Sequence, residues 1–263
     1  MIGLAILLLL VFLAVAAPLL TTHDPEQQHL STVLRPPSLE YPLGTDYLGR
    51  DILTRLFYGG RLSLAIGFLA VAIGLIFGVP LGAVSGYYGG WADLIIQRIA
   101  DILLSFPGFL LALSLVSILG IGLQNVILSV GISAIPSFIR LVRGSVLSIR
   151  ELTYIEAAHS VGTHDAAIIL RHVMPNAMTP VIVQATLNLG TAILTAAGLG
   201  FLGLGVQPPT PEWGTMLGEG RNYIFSNPNM ATFPGLAIFF AVLGFNLLGD
   251  GLRDALDPRM KQF

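Results

Sequence analysis

The run ILLSFPGFLLALSLVSILGIGLQNVILSVGISAIPSFI, Ile102 to Ile139, contains no Asp, Glu, Lys or Arg. About 20 apolar residues cover the hydrocarbon core of a bilayer, so this stretch is long enough for two crossings. Gly120-Ile121-Gly122-Leu123-Gln124-Asn125 sits near its middle as a turn signal, and two spans at about 99–120 and 126–144 follow from it. Four further charge-free windows, 1–23, 62–92, 172–211 and 222–249, read the same way and place spans at about 3–20, 62–86, 178–202 and 233–250. Within 172–211, Pro175 and Pro180 delay the start, while Gly198 to Gly205 and Pro208-Pro209 break the end. That window therefore reads as one span followed by a short cap outside the membrane.

The composition agrees with an integral membrane protein. Of 263 residues 54% are hydrophobic and only 11% charged, and the mean hydropathy is +0.79, so there is too little polar surface to solvate a globule of this size. The expected fold is all-α and polytopic, with six transmembrane helices. Residues 1–20 form the first helix, 21–61 a polar, Pro-rich outer loop, and 62–263 the core with a loop at 145–176. An even number of spans puts both termini on one side together with Arg98, Arg140, Arg143, Arg150, Arg171, Arg253, Arg259 and Lys261, whereas Arg35, Arg50, Arg55, Arg61 and Arg221 lie on the other. The positive-inside rule then places both termini in the cytoplasm. Ala14-Val15-Ala16 has the form of a signal-peptidase site, but no basic segment precedes the apolar run, and the run is long enough to remain as a helix. The span has almost no lead-in, as a truncated start would give.

Several function classes are excluded. Lys261 is the only lysine, so no G-x-x-x-x-G-K-[ST] phosphate loop exists and any nucleotide chemistry belongs to a partner. Neither H-E-x-x-H nor G-x-S-x-G occurs, no catalytic residue is assigned, and the chain is not expected to be an enzyme. His159, His164 and His172 are spaced by five and eight residues, which does not align them on one helical face, so no metal site or other cofactor is expected. With no cysteine there is no disulfide or thiolate site. The scattered cations give nucleic acid no basic patch.

Between two of the apolar runs lies a polar island containing Glu156-Ala157-Ala158-His159-Ser160-Val161-Gly162 and, after nine residues, His172-Val173-Met174-Pro175-Asn176. Thr153 to Val161 fits a short helix, Gly162 a left-handed stop, and Thr163 the cap of a second helix with Asp165 in its first turn. Ala157 and Ala158 permit close approach by another protein, and Glu156 presents a charge. On local chemistry alone this is either a docking element or a solvated helical hairpin joining two spans.

The order Glu156-Ala157-Ala158, three residues, Gly162, then Pro175 resembles the cytoplasmic loop of permease subunits of ATP-binding-cassette importers. The chain is also similar to the C-type permease of the dipeptide and oligopeptide importer family. That resemblance runs through Pro42-Leu43-Gly44-Thr45-Asp46 with Leu48-Gly49-Arg50-Asp51, Gly200 to Gly205 with Pro208 to Gly214, and Phe245 to Asp254, so it extends from residue 42 to about 260. His172 and Met174 stand where Ile and Leu are usual in the broad pattern, while Arg171-His172 before the Pro suits the peptide branch.

What the resemblance implies is a permease of the cell (inner or plasma) membrane that forms a heterodimer with a second permease. It would work with two cytoplasmic ATP-binding subunits and an extracytoplasmic solute-binding protein. The loop would be a coupling helix seated in an ATPase cleft, with Glu156, Ala157, Ala158, Gly162, Asp165 and Pro175 as its site residues. Related permeases carrying nickel or a nickel chelate give an alternative cargo. A secondary transporter or channel should carry charges within its spans, and only Asp101 and Asp250 come near. A membrane scaffold would not need such a loop.

Polar residues inside spans are pathway candidates because lipid offers them no partner. Gln184 and Asn188 share a face at i, i+4, continued by Thr191 and Thr195, and face either the pathway or neighbouring helices. Ser133 and Ser137 flank Pro136 and are expected to satisfy backbone groups freed by a kink. Arg98 and Asp101 are expected to pair, and Trp91 and Trp213 to anchor at the membrane surface, with Trp213 also placed to meet a solute-binding protein.

Overall fold

The computed structural model describes residues 1–256, and helices occupy all six predicted segments. In chain order these are α1 (Ile2–Val15), α2 (Ala17–Leu20), α3 (Ile52–Tyr88), α4 (Gly90–Leu104), α5 (Gly108–Leu119), α6 (Leu123–Arg150), α7 (Thr153–Ser160), α8 (Asp165–Ile168), α9 (Met174–Phe201), α10 (Trp213–Gly220) and α11 (Asn229–Leu256). A wide π-helical turn, Ile169–Val173, joins α8 to α9. The only β pairing among the described residues is an isolated bridge between Thr45 and Asp51. Arg259 and Lys261, counted above for the charge bias, lie outside the described residues.

The α3–α6 pair is the most extensive helix contact. Gly74, Gly78, Gly82 and Gly86 recur every fourth residue and so line one face of α3. A Cβ built at Gly78 would stand 2.6 Å from Phe138 Cβ and 2.8 Å from the Ile135 carbonyl oxygen. One at Gly82 would stand 2.7 Å from the Ile139 carbonyl oxygen, and one at Gly86 2.9 Å from that of Arg143. Small residues of this kind let two helices pack where lipid supplies no hydrophobic drive between them. Phe138, Val142 and Val146 fill the far side of the seam and are fully buried.

Two expectations about the spans are corrected. The predicted span 99–120 is not one helix: α4 and α5 meet at 90° across Ser105–Pro107. Pro107 lacks an N–H and disfavours helical geometry at Phe106, and this breaker outweighs the apolar composition around it. The loop 21–61 is irregular only to Asp51, because α3 starts at Ile52. There the Asp51 carboxylate accepts the Thr54 N–H at 2.9 Å. Charge-free windows locate the part of a helix that fits hydrocarbon, and α3 carries Arg55 and Arg61 beyond it. Among the described residues four helices are long and apolar enough to cross a bilayer, the bent α4–α5 pair makes a fifth candidate, and α1 is shorter.

Side-chain expectations also change. Trp213 is 2% exposed, packed in the core with its indole N–H donating to the Leu56 carbonyl at 2.9 Å, so it is neither a surface anchor nor a contact for another protein. Trp91 is exposed, as an interfacial residue would be. Asp101 pairs with Arg140 at 2.6 Å rather than with Arg98, because α6 brings the guanidinium across to α4. Ser133 and Ser137 donate to the Val130 and Ala134 carbonyls, whereas the carbonyl freed by Pro136 is that of Ile132.

The seam predicts a sharp contrast between two glycines. Gly82→Val should cost at least about 2 kcal/mol, since the carbonyl its Cβ would strike is backbone. Gly144→Ala on α6, with nothing within 4 Å, should be neutral or slightly stabilising. Thermal unfolding of the purified protein in detergent reads both. Equal melting of the Gly82 variant and the parent would show that the seam tolerates a side chain.

Candidate functional site: an exposed helical corner and a polar cavity

The island between α6 and α9 forms the helix–corner–helix read from the sequence. Ile155 and Ile168, both fully buried, insert among Ala83, Val142, Val146 and Val173. These anchors hold α7 and α8 against the ends of α3 and α6 and leave Glu156, Ala157, Val161 and Gly162 exposed and Ala158 half-buried. Gly162 has φ +78°. Its N–H donates to the His159 carbonyl at 2.9 Å, and the Thr163 N–H reaches back to that of Ala158 at 3.1 Å. This is the paired Schellman closure that a left-handed residue after a helix permits. The second helix is capped at His164 rather than Thr163, with no side-chain cap bond. Asp165 lies in the first turn of α8 as expected. Pro175 falls in the first turn of α9, directly after the π-helical turn Ile169–Val173 that continues the helix from α8, so its missing N–H coincides with the widening of that turn.

The corner is tied to the end of α3. The Tyr87 hydroxyl lies 3.1 Å from His159 Nε2 and donates to Asp165 Oδ1 at 3.1 Å. Arg150, at the end of α6, donates to the Gly86 carbonyl at 2.9 Å and to that of Tyr87 at 3.3 Å. Ser85 donates to Asp93 on α4, which also takes a two-pronged pair from Arg143 at 2.6 and 2.7 Å.

At the other end of α3 the loop 21–51 is locked down by charge. Arg50 and Arg55 are 0% and 1% exposed. Arg50 Nε meets Asp46 Oδ2 at 2.6 Å, and both guanidinium groups reach Glu219 Oε2 on α10, at 3.2 and 3.3 Å. Arg55 also donates to the Pro25 and Pro209 carbonyls, and Asn227 to that of Thr45. Burial opposes the Arg50 charge, but the carboxylates of Asp46 and Glu219 outweigh it and hold its pKa above the ordinary arginine value. For Tyr47 burial acts in the opposite sense: it disfavours the phenolate and, reinforced by the Glu219 carboxylate, raises the phenol. The sequence reading placed these residues in an outer loop without foreseeing their burial. No local signal marks it, because the Glu219 carboxylate that both guanidinium groups share comes from α10.

Gln184 and Asn188 do share a face, and Gln184 Nε2 donates to Asn188 Oδ1 at 3.1 Å. They open onto different spaces. Gln184 lines a cavity of about 470 Å³ with Leu187 and Arg253. Asn188, Thr191 and Thr195 line another of about 370 Å³ with Ser133, Ser137 and the start of α5. The Asn188 Nδ2 atom is buried without a hydrogen-bond partner.

An all-helical membrane chain with an exposed helical corner at one end and a charge-locked loop at the other has the form of a transport permease domain. Residues 78–262 match the family described as binding-protein-dependent transport system inner membrane component, and residues 1–37 match the N-terminal TM domain of oligopeptide transport permease C. The chain belongs to this permease family. It is 53% identical over 260 residues to a dipeptide transport system permease protein of Alkalihalophilus pseudofirmus, covering 99% of this chain and 86% of that protein. It is 50% identical over 255 residues to a glutathione transport system permease protein of Pectobacterium atrosepticum, covering 97% and 85%. Among solved structures, a chain of the inward-facing MetNI methionine ABC transporter matches with a TM-score of 0.63 and 25% identity, over 77% of this chain and 96% of that one. The chain is therefore a multi-pass inner-membrane permease.

Proposed function

We propose that this permease carries dipeptides or short peptides, forming the translocation pathway together with a second, similar permease. ATP hydrolysis resides in two cytoplasmic subunits, and an extracytoplasmic solute-binding protein delivers the cargo. The peptide cargo is supported by the names of the relatives, dipeptide and glutathione permeases. The observation that carries the mechanism is the α7–α8 corner, anchored by two buried isoleucines while Glu156, Ala157 and Gly162 stand open to a partner. In this reading the corner sits in an ATPase cleft, and closure of the ATPase pair pushes on it to shift the helices between two packings. Both termini and 145–176 face the cytoplasm, and the loops 21–51 and 206–228 face outward.

Reconstituting the chain with a second permease, two ATPase subunits and a solute-binding protein of the same importer tests the reading. ATP-dependent uptake of a radiolabelled dipeptide into vesicles is expected; uptake of nickel and not of peptides would assign the other cargo. Gly162→Val forces a β-branched residue into positive φ, a change costing at least about 1 kcal/mol. Glu156→Lys reverses an exposed charge. Both variants should insert and pair with the second permease, yet lose ATPase co-purification or the hydrolysis stimulated by loaded binding protein. Full attachment and full stimulation in both would reduce the corner to a linker.

The chain has no native cysteine, so orientation is read by single-cysteine labelling. Val161→Cys, at an 80% exposed position, should react with an impermeant reagent only from the cytoplasmic face, and Leu39→Cys, fully exposed, only from outside. Labelling of position 161 in intact cells would invert the topology.

Gln184 and Asn188 belong to the pathway or to the interface with the second permease in this reading. The double change to Leu should leave insertion intact and lower transport. Unchanged uptake of every cargo tested would remove the pair from both roles.

A further inference from the structure

The Tyr87 ring projects from the last turn of α3, next to the Gly162 corner. Among the described residues its hydroxyl is the one polar group outside the corner that hydrogen-bonds to both arms, to His159 on α7 and Asp165 on α8, each at 3.1 Å. Because the hydroxyl has one proton and gives it to the Asp165 carboxylate, the His159 contact requires Nε2–H as the donor. Tyr87 thus accepts from one arm and donates to the other. The ring is stacked on His159 with centroids 6.2 Å apart and set edge-on to Tyr88 at 5.2 Å. The Tyr87 backbone is held separately, since Arg150 donates to the Gly86 and Tyr87 carbonyls.

Neither arm has another polar link to α3 among the described residues. Ile155 and Ile168 hold the corner by packing, which resists separation but permits sliding and rotation. A bond to each arm resists rotation about the corner as well. The inference rests on the reading that the corner docks on an ATPase. We propose that the Tyr87 hydroxyl is a positioning group that locks both arms of the corner to α3, so that displacement of the docked corner moves α3 instead of being absorbed by rotation of α7 against α8.

Y87F tests this, because it removes one oxygen and keeps the ring and its aromatic contacts. Measured in the full importer with its ATPases and binding protein, ATPase co-purification should stay at the parent level. Phosphate release stimulated by loaded binding protein should fall about three- to tenfold, as loss of one or two hydrogen bonds to exposed polar groups allows, and radiolabelled dipeptide transported per ATP should fall with it. H159F, which removes one of the two bonds and keeps a ring beside Tyr87, should show the same split in smaller measure, and the double variant Y87F/H159F should be no worse than Y87F alone, since Y87F already removes that bond. Parent-level stimulation and transport in Y87F would overturn the proposal. So would loss of ATPase attachment in Y87F, which would make the hydroxyl part of the folding or docking of the loop. Failure of the docking reading itself is separately visible, because the exposed-face variant Glu156→Lys would then leave attachment and stimulation unchanged.

Discussion

The close approach of α3 to α6 is the constraint from which the rest of the arrangement follows. Inside a bilayer, lipid is as apolar as leucine, so helices gain little by hiding apolar side chains from it. What remains is contact at short range, and four glycines at i+4 spacing remove every Cβ from one face of α3 so that Phe138, Val142 and Val146 can reach its backbone. The two helices become one unit whose lower end carries the α7–α8 corner. At about 1.5 Å per residue, α3 runs roughly 55 Å from Ile52 to Tyr88. Its first turns lie in the charge-locked loop at one end, and its last turn touches the corner at the other.

The two ends are held by different physics. At the Arg50–Arg55 end, two guanidinium groups and the carboxylates of Asp46 and Glu219 are withdrawn from water together. Such a network gains little net stability over a well-packed apolar replacement, but losing one member strands a buried charge. Its effect is to fix which loop lies against which helix, with Arg50 and Arg55, and Asp46 through them, gathered on Glu219 of α10. At the corner end the polar contacts are half-exposed, screened by solvent and individually weak. The buried Ile155 and Ile168 carry most of the attachment there, and the polar contacts add direction to it.

The apolar segments and the island between α6 and α9 were legible because each rests on a local rule. A run without charge marks hydrocarbon, and Gly after a short helix with Ala157 and Ala158 before it marks a left-handed stop. The glycine seam was equally visible as Gly74, Gly78, Gly82 and Gly86, yet small residues at one spacing count only when their partner helix is known. The break at Ser105–Pro107 carried a Pro-Gly signal that the surrounding apolar residues masked. Burial of Arg50, Arg55 and Trp213 was not legible, since it depends on Glu219 and Leu56 arriving from distant positions. The pairing of Asp101 with Arg140 instead of Arg98 failed for the same reason: i, i+3 spacing proposes a partner, and a neighbouring helix can supply a nearer one.

If α3, α6 and the corner move as one body, a change in the pathway must be taken up where packing is loosest. The seam has no room for it, because backbone carbonyls already lie within 3 Å of where a Cβ would stand. The space of about 370 Å³ bounded by α6, α9 and the start of α5 is different: it contains Asn188, Thr191, Ser133 and Ser137 and begins where the α4–α5 bend ends. Ser133 and Ser137 are satisfied there by carbonyls of their own helix, whereas an asparagine amide has more groups to satisfy. Asn188 meets only part of that need through Gln184. The α4–α5 bend at Ser105–Pro107 turns α5 along the edge of this space, where Ala112 and Val116 pack it against the core shared with α6.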